Sequence, residues 1–263
     1  MKAMAGLVPG ASLLLTIVSS GETISHAERE AFLREAEIVD RKVIATGITL
    51  PQSLQLEYRG VRRRAAFKSL EVEIPNQLVT VGAERQQGLR DSWKFEVAAY
   101  ELDKLLGFGL VPVTVVRKID DREGALIDWV DGVLPEFDTP PSEFQLSQWE
   151  IEVAKVWLFD YLAYNIDRTP DNLLVAEGFK VHLIDHSRAF QGFLVPMRPL
   201  SRFPRGVVDK LRRLEEDDFR KALGDYLTRD EMRALLERRK RVLERVDELL
   251  GTRPESQVFF ESL

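Results

Sequence analysis

The chain has 263 residues, 44% hydrophobic and 30% charged, enough for a packed core in one two-lobed domain or two small ones. With 37 Lys and Arg against 43 Asp and Glu the net charge is −6, which implies no general polyanion-binding surface and makes nucleic acid an unexpected partner. The absence of cysteine excludes disulfides, thiolate catalysis and Cys-ligated zinc, and three histidines (His26, His182 and His186) are too few for a His-rich metal site.

The chain opens with Met1-Lys2, an apolar stretch from Ala3 to Val18 broken by Pro9-Gly10, and then Ser19-Ser20-Gly21, with Ser25-His26-Ala27 as a second candidate cleavage motif. Residues 1–27 thus read as a secretory signal peptide or, alternatively, as a disordered or core-buried N-terminus. The stretch is too short and interrupted for a stable membrane span. Export to the envelope is the expectation if it is a signal, and a cytoplasmic location if it is not.

His26 to Val39, rich in Glu, Ala, Leu and Arg, reads as a short helix. Val43 to Leu70 reads as three strands of an antiparallel meander, with Gly47 in the first turn and Arg59-Gly60 in the second. Gly47 is the single glycine available there to a phosphate-binding turn, so Thr49 or backbone amides would have to assist it. The third strand ends Ala65-Ala66-Phe67-Lys68. A lysine after small and apolar strand residues points inward, which is costly unless it is paired; an exposed edge position would make it harmless.

Glu71 to Arg90 reads as a long polar connection, followed by a helix from Trp93 to Leu106 that Asp91 or Ser92 can cap and Gly107 stops. Glu96 lies between two apolar rows of that helix and wants a cation, for which Lys68 is the candidate; a solvated Glu96, or Glu101 in its place, is the alternative. Strands are expected over Leu110–Val116 and Ala125–Val130, with a turn at 120–124 between them. Asp131 to Ser147, Pro-rich and polar, reads as the linker between a sheet-bearing lobe (28–130) and a helical lobe (148–263). Ser147 is placed to cap an apolar helix over Gln148–Tyr164.

Asn165 to Phe190 carries the chemistry. Leu173-Leu174-Val175 and Val181-His182-Leu183-Ile184 are short apolar runs around the turn signal Glu177-Gly178. In that hairpin Asp167 and Asn172 precede the first strand and Asp185 follows the second, so the open ends bring the three together. Two carboxylates and an amide oxygen are hard ligands suited to Mg²⁺ or Mn²⁺ shared with substrate phosphates. An Asp that accepts a hydroxyl proton, an Asn five positions on and a later Asp that hold metal follow phosphoryl-transfer logic. The plainer alternative is that these residues make turns. A Ser-His-Asp triad is disfavoured, since Asp185, His186 and Ser187 are sequence neighbours and there is no Gly-x-Ser-x-Gly elbow. Helices over Arg205–Leu214, Glu216–Leu223 and Arg229–Leu250 complete the chain, the last with a Thr228/Glu231 capping box and a solvated Arg/Glu face.

Ala-Phe-Lys ending at Lys68, Phe-Glu-Val-Ala-Ala-Tyr-Glu-Leu-Asp-Lys-Leu-Leu-Gly (95–107), Leu-Val-Pro (110–112), Asn-Ile-Asp-Arg-Thr-Pro-Asp-Asn (165–172) and Ile-Asp-His-Ser-Arg-Ala-Phe (184–190) resemble the atypical kinases. The likeness is to the Golgi secretory-pathway casein kinases and their bacterial relatives, with HipA-type and phosphoinositide kinases similar at the same sites. It covers roughly Val43 to Leu250. It implies an α+β, two-lobed kinase-like fold, with a small antiparallel sheet and one helix above a mostly helical lobe. It also implies ATP as substrate and a hydroxyl acceptor, protein Ser/Thr first, with a lipid, sugar or inositol acceptor as the alternative. By the same resemblance Lys68 would bind the triphosphate and pair with Glu96, Asp167 would be the catalytic carboxylate, and Asn172 and Asp185 would hold the metal. Arg188 matches an arginine of structural role. The chain departs from the pattern at Thr169, where many relatives have His, and in lacking the secretory kinases' disulfides. A nucleotide-binding pseudokinase on the same fold, and an exported interaction protein without a nucleotide site, are the competing readings.

Overall fold

The computed structural model describes residues 25–43, 51–81, 84–133, 143–165, 168–176, 179–191 and 200–260. The expectations for Gly47 and Asp167, for the leader before Ser25 and for most of the linker lie outside them.

Helix α1 (His26–Glu35) starts with a reciprocal capping box, in which Glu28 N donates to Ser25 Oγ at 3.3 Å and Ser25 N donates to Glu28 Oε2 at 2.8 Å. Ser25, of the second candidate cleavage motif, thus caps α1, and His26 and Ala27 lie in its first turn. The helix stops at the extended Ala36, short of the expected Val39, because Ile38 and Val39 are β-branched and enter strand β1 (Glu37–Val43). β1 pairs antiparallel with β2 (Gln52–Tyr58), and β2 with β3 (Val61–Lys68), across a turn in which Arg59 and Gly60 take φ of 50° and 78°. Leu54 and Leu56 on β2, and Ala65 and Phe67 on β3, point into the core with the alternation expected of a half-buried sheet.

Glu71 to Arg90, expected as a loop, is instead a β-ribbon: β4 (Glu71–Val81) pairs with β5 (Glu84–Ser92) as a separate two-stranded sheet. The alternation Glu71-Val72-Glu73-Ile74 carries a period of two, but Val72 stays exposed, so the hydrogen-bonded ladder rather than burial holds the ribbon. Helix α2 (Trp93–Leu106) follows at once. Ser92 Oγ accepts from Lys94 N at 3.1 Å at its start, and Gly107, with φ 73°, ends it.

The strand expected at Leu110 begins only at Thr114. The buried carboxylate of Asp103 on α2 accepts the N–H groups of Gly109 at 2.6 Å, of Leu110 at 2.7 Å and of Val111, which holds 109–111 as a turn. β6 (Thr114–Ile119) and β7 (Arg122–Asp128) complete a five-stranded antiparallel sheet of order β1-β2-β3-β7-β6, with Lys68 opposite Ala125. A Cβ on Gly124 would collide with the Lys68 carbonyl and the Phe67 ring, so this close approach of β3 and β7 requires glycine.

Helix α3 runs from Glu143 to Ala163, so Ser147 lies inside it rather than at its cap. A one-turn 3₁₀ segment at Pro170–Asn172 leads into the hairpin of β8 (Leu173–Val175) and β9 (Val181–Leu183). Helices α4 (Arg205–Arg213), α5 (Glu216–Leu223) and α6 (Arg229–Leu250) lie where expected, α6 with its Thr228/Glu231 box. A short α7 (Glu255–Val258) ends in β11 (Phe259–Phe260), which pairs in parallel with β10 (Phe203–Pro204). The sheet side and the helical side share one apolar core that runs through Leu33, Phe67, Phe95, Phe159, Phe190 and Leu235. Among the described residues no helix is long and apolar enough to cross a membrane.

His182 on β9 carries a prediction. Burial, reinforced by the positive charges of Lys180 and Arg29, lowers its pKa from 6.5 to about 4. The unfolded chain thus binds a proton that the fold rejects, so the stability is complete above pH 6.5 and is lost as pH falls towards 4. After discounting for partial exposure the loss is about 1–2 kcal/mol. Replacing His182 with Leu is expected to flatten the melting temperature between pH 6.5 and 5 relative to the parent; equal slopes would refute the assignment.

Candidate active site

The site is built where β3, α2 and the end of the β8–β9 hairpin meet. Lys68, the last residue of β3, directs its ammonium inward with its side chain 11% exposed. Nζ donates to Glu96 Oε1 at 2.6 Å and to Asp185 Oδ1 at 2.7 Å. The expected Lys68–Glu96 pair is thus formed, and Glu101 binds Lys104 instead. Burial opposes the charge on Lys68, but the carboxylates of Glu96 and Asp185 outweigh it and raise its pKa above the ordinary value. Burial likewise pushes the Glu96 carboxyl up. The Lys68 ammonium and the His186 hydrogen bond overcome that and hold Glu96 well below the usual carboxylate range. Both groups are therefore charged at neutral pH.

Asp185 follows β9 with φ 61°, a left-handed conformation that is strained for a non-glycine residue. Its carboxylate is 46% exposed, so one side faces Lys68 and the rest is open to a ligand. The peptide before it is tied to the other candidate ligand, since Ile184 N donates to the Asn172 carbonyl at 3.1 Å. With Leu173 opposite Leu183 across the hairpin, Asn172 and Asp185 leave the same end of it. A carboxylate and an amide oxygen at a partly open, polar corner beside an ammonium fit a hard divalent cation shared with phosphates. Asp167, expected to complete the set, lies outside the described residues. Among the described residues no three His, Cys, Asp or Glu side chains form a metal cluster.

Three residues with no role in the sequence-based reading hold this corner. The Arg168 guanidinium donates through Nη1 to the carbonyls of Asn172 at 3.0 Å and Ile184 at 2.7 Å, and through Nη2 and Nε to Asp160 on α3 at 2.9 and 3.1 Å. Its Nη2 also lies 3.0 Å from Nε2 of the buried His186. His186 N donates to Glu96 Oε2 at 3.1 Å. The available signal was an Asp one helical turn before the end of an apolar helix, with an Arg eight positions later, but nothing in the sequence alone joins that pair to His186.

Beyond Asp185 the chain is fastened to β5. Ser92 N donates to Ser187 O at 2.8 Å, Arg188 Nε to Asp91 Oδ2 at 2.9 Å, and Gln191 Nε2 to Arg90 O at 2.6 Å. Arg188 thus ties the segment after Asp185 to β5, and Asp91 serves Arg188 while Ser92 caps α2. Arg90 reaches on to Glu71 and to Glu231 at the start of α6, both at 2.9 Å.

No family model and no curated protein matches the sequence. Among solved structures the chain is similar to hydra Fam20 with sugar, at TM-score 0.64 and 17% identity over 94% of this chain and 95% of that one. It is also similar to the Golgi casein kinase, at TM-score 0.61 and 12% identity over 89% of this chain and 77% of that one. The same enzyme with Mn/ADP bound matches at TM-score 0.61 and 12% identity, covering 89% of this chain and 78% of that one. The fold is therefore the kinase-like α+β fold that the sequence resemblance implied.

Proposed function

We propose that this chain is an ATP- and divalent-metal-dependent phosphotransferase that acts on a hydroxyl acceptor. The observation that carries the reading is the buried Lys68 ammonium held between Glu96 and Asp185, with Asn172 brought to the same corner by the hairpin. Lys68 supplies a fixed positive charge to a triphosphate, and Glu96 keeps it aimed there. Asn172 and Asp185 would hold Mg²⁺ or Mn²⁺, whose charge offsets that of the phosphates when it is bound. Asp167 would accept the acceptor's hydroxyl proton. A neighbour of the same fold was solved with Mn/ADP, which supports this donor and metal.

A protein Ser or Thr is the first acceptor to test. A sugar hydroxyl is the second, favoured by the hydra Fam20 structure with sugar. The test is a melting curve with Mn²⁺ and ADP together, followed by labelled-ATP transfer to casein and to a sugar panel. A ligand that binds only the native state at 100 times its Kd adds about 2.7 kcal/mol, so the melting temperature should rise by several degrees. Asp167→Ala is expected to keep that rise and lose the transfer. A parent protein whose melting point ignores Mn²⁺ and ADP would overturn the reading.

A further inference from the structure

Between the catalytic corner and α3 lies a buried histidine that the phosphotransferase reading leaves without a task. His186 is 1% exposed, packed edge-on to Phe159 with ring centroids 5.7 Å apart. Arg168 can only donate, so at 3.0 Å from His186 Nε2 it makes that nitrogen the acceptor. The other ring nitrogen, Nδ1, lies 3.6 Å from Glu96 Oε2 and has no hydrogen-bond partner, while His186 N donates to that same oxygen at 3.1 Å.

The contacts run from Asp160 through Arg168 to the His186 ring, and from the His186 backbone N–H through Glu96 to Lys68 and Asp185. The same guanidinium grips the carbonyls of Asn172 and Ile184, the backbone that carries both candidate metal ligands. One planar group thus fixes the metal-side backbone with one nitrogen and, with another, the ring of the residue whose backbone N–H supports Glu96. Arg suits this task because its donors lie in a rigid plane.

We propose that His186 is a positioning residue which, with Arg168, couples the nucleotide grip at Lys68 to the metal corner at Asn172 and Asp185, so that each site is formed by the other. This rests on the phosphotransferase reading and goes beyond it, because a cation bonded to the phosphates already ties metal to nucleotide directly, and the inference is that a further part of that mutual effect passes through His186 and Arg168. If the ring merely fills space, its loss lowers stability and leaves that mutual effect alone.

The test is calorimetric titration of ADP into the full chain, with and without saturating Mn²⁺, for the parent, His186→Leu and His186→Gln. The quantity read is the factor by which Mn²⁺ tightens ADP. Leucine removes the acceptor for Arg168, and the factor is expected to fall by about ten-fold. The Gln carbonyl oxygen reaches the place of Nε2 and should restore the factor to within about three-fold. Should the Leu variant fail to fold, Asp160→Asn loosens Arg168 from the helix side and is expected to lower the factor in the same direction. A Leu or Asn variant with the parental factor overturns this inference alone. A parent that binds no ADP, or binds it without regard to Mn²⁺, overturns the phosphotransferase reading and this inference with it.

Discussion

Asp185→Ala is expected to abolish Mn²⁺-dependent nucleotide binding and to lower phosphoryl transfer by about 10³-fold. The carboxylate does two things that Ala cannot. On the proposed function it would offer a charged oxygen to the cation, and it holds the second side of the Lys68 ammonium at 2.7 Å. The fold should survive, because Asp185 is 46% exposed and Lys68 keeps its buried partner Glu96. Alanine also suits the left-handed φ of 61° no better than Asp does, so the gain from relieved strain is small. The measurement is calorimetric titration of ADP with and without Mn²⁺, beside a melting curve. A folded variant with parental Mn²⁺-ADP affinity would count decisively against the proposed role of this corner.

The largest effect on stability is expected at Asp103, far from any reacting atom. Its carboxylate collects the three N–H groups of Gly109, Leu110 and Val111 in a buried pocket. Asp103→Ala strands those donors without water or protein partners, at a cost of about 3–5 kcal/mol. At about 2–4 °C per kcal/mol for a chain of this size, the melting temperature should fall by about 10 °C. Asp103→Asn keeps one acceptor oxygen and should fall in between. The damage should reach the site as well, because Leu183 N donates to Leu110 O at 2.9 Å and so seats the hairpin that presents Asp185. A fall of less than about 2 °C in the Ala variant would show that the turn holds itself.

The parts of this molecule that were legible in the sequence are those whose physics is local. Ser92 and Gly107 bracket α2, and Thr228 with Glu231 opens α6, because capping is a matter of neighbouring residues. The β8–β9 hairpin was legible from two apolar runs and a turn, and the Lys68–Glu96 pair from an inward lysine and a buried glutamate that each needed the other. What was missed depends on distant partners. The alternation in Glu71–Ile74 reads as part of a polar connection because it spans only four residues, and pairing with β5 makes it a strand. Leu110-Val111 has strand composition, yet the Asp103 carboxylate takes its amides first. Arg168 and Asp160 looked like ordinary charges, since nothing before folding says that one guanidinium will meet two carbonyls, a carboxylate and an imidazole.

The fastening at Arg90 bears on how such a catalyst could be governed. One guanidinium clamps the ribbon before α2 to the first turn of α6, while Ser92, Asp91 and the Arg90 carbonyl hold the turn that leaves Asp185. Moving β5 and α2 away from these elements would have to break the Arg90–Glu231, Asp91–Arg188, Ser92–Ser187 and Arg90–Gln191 bonds together. A scaffold so riveted has no inexpensive idle posture. On the proposed function, its throughput would be dictated by how much nucleotide, cation and acceptor the surroundings provide.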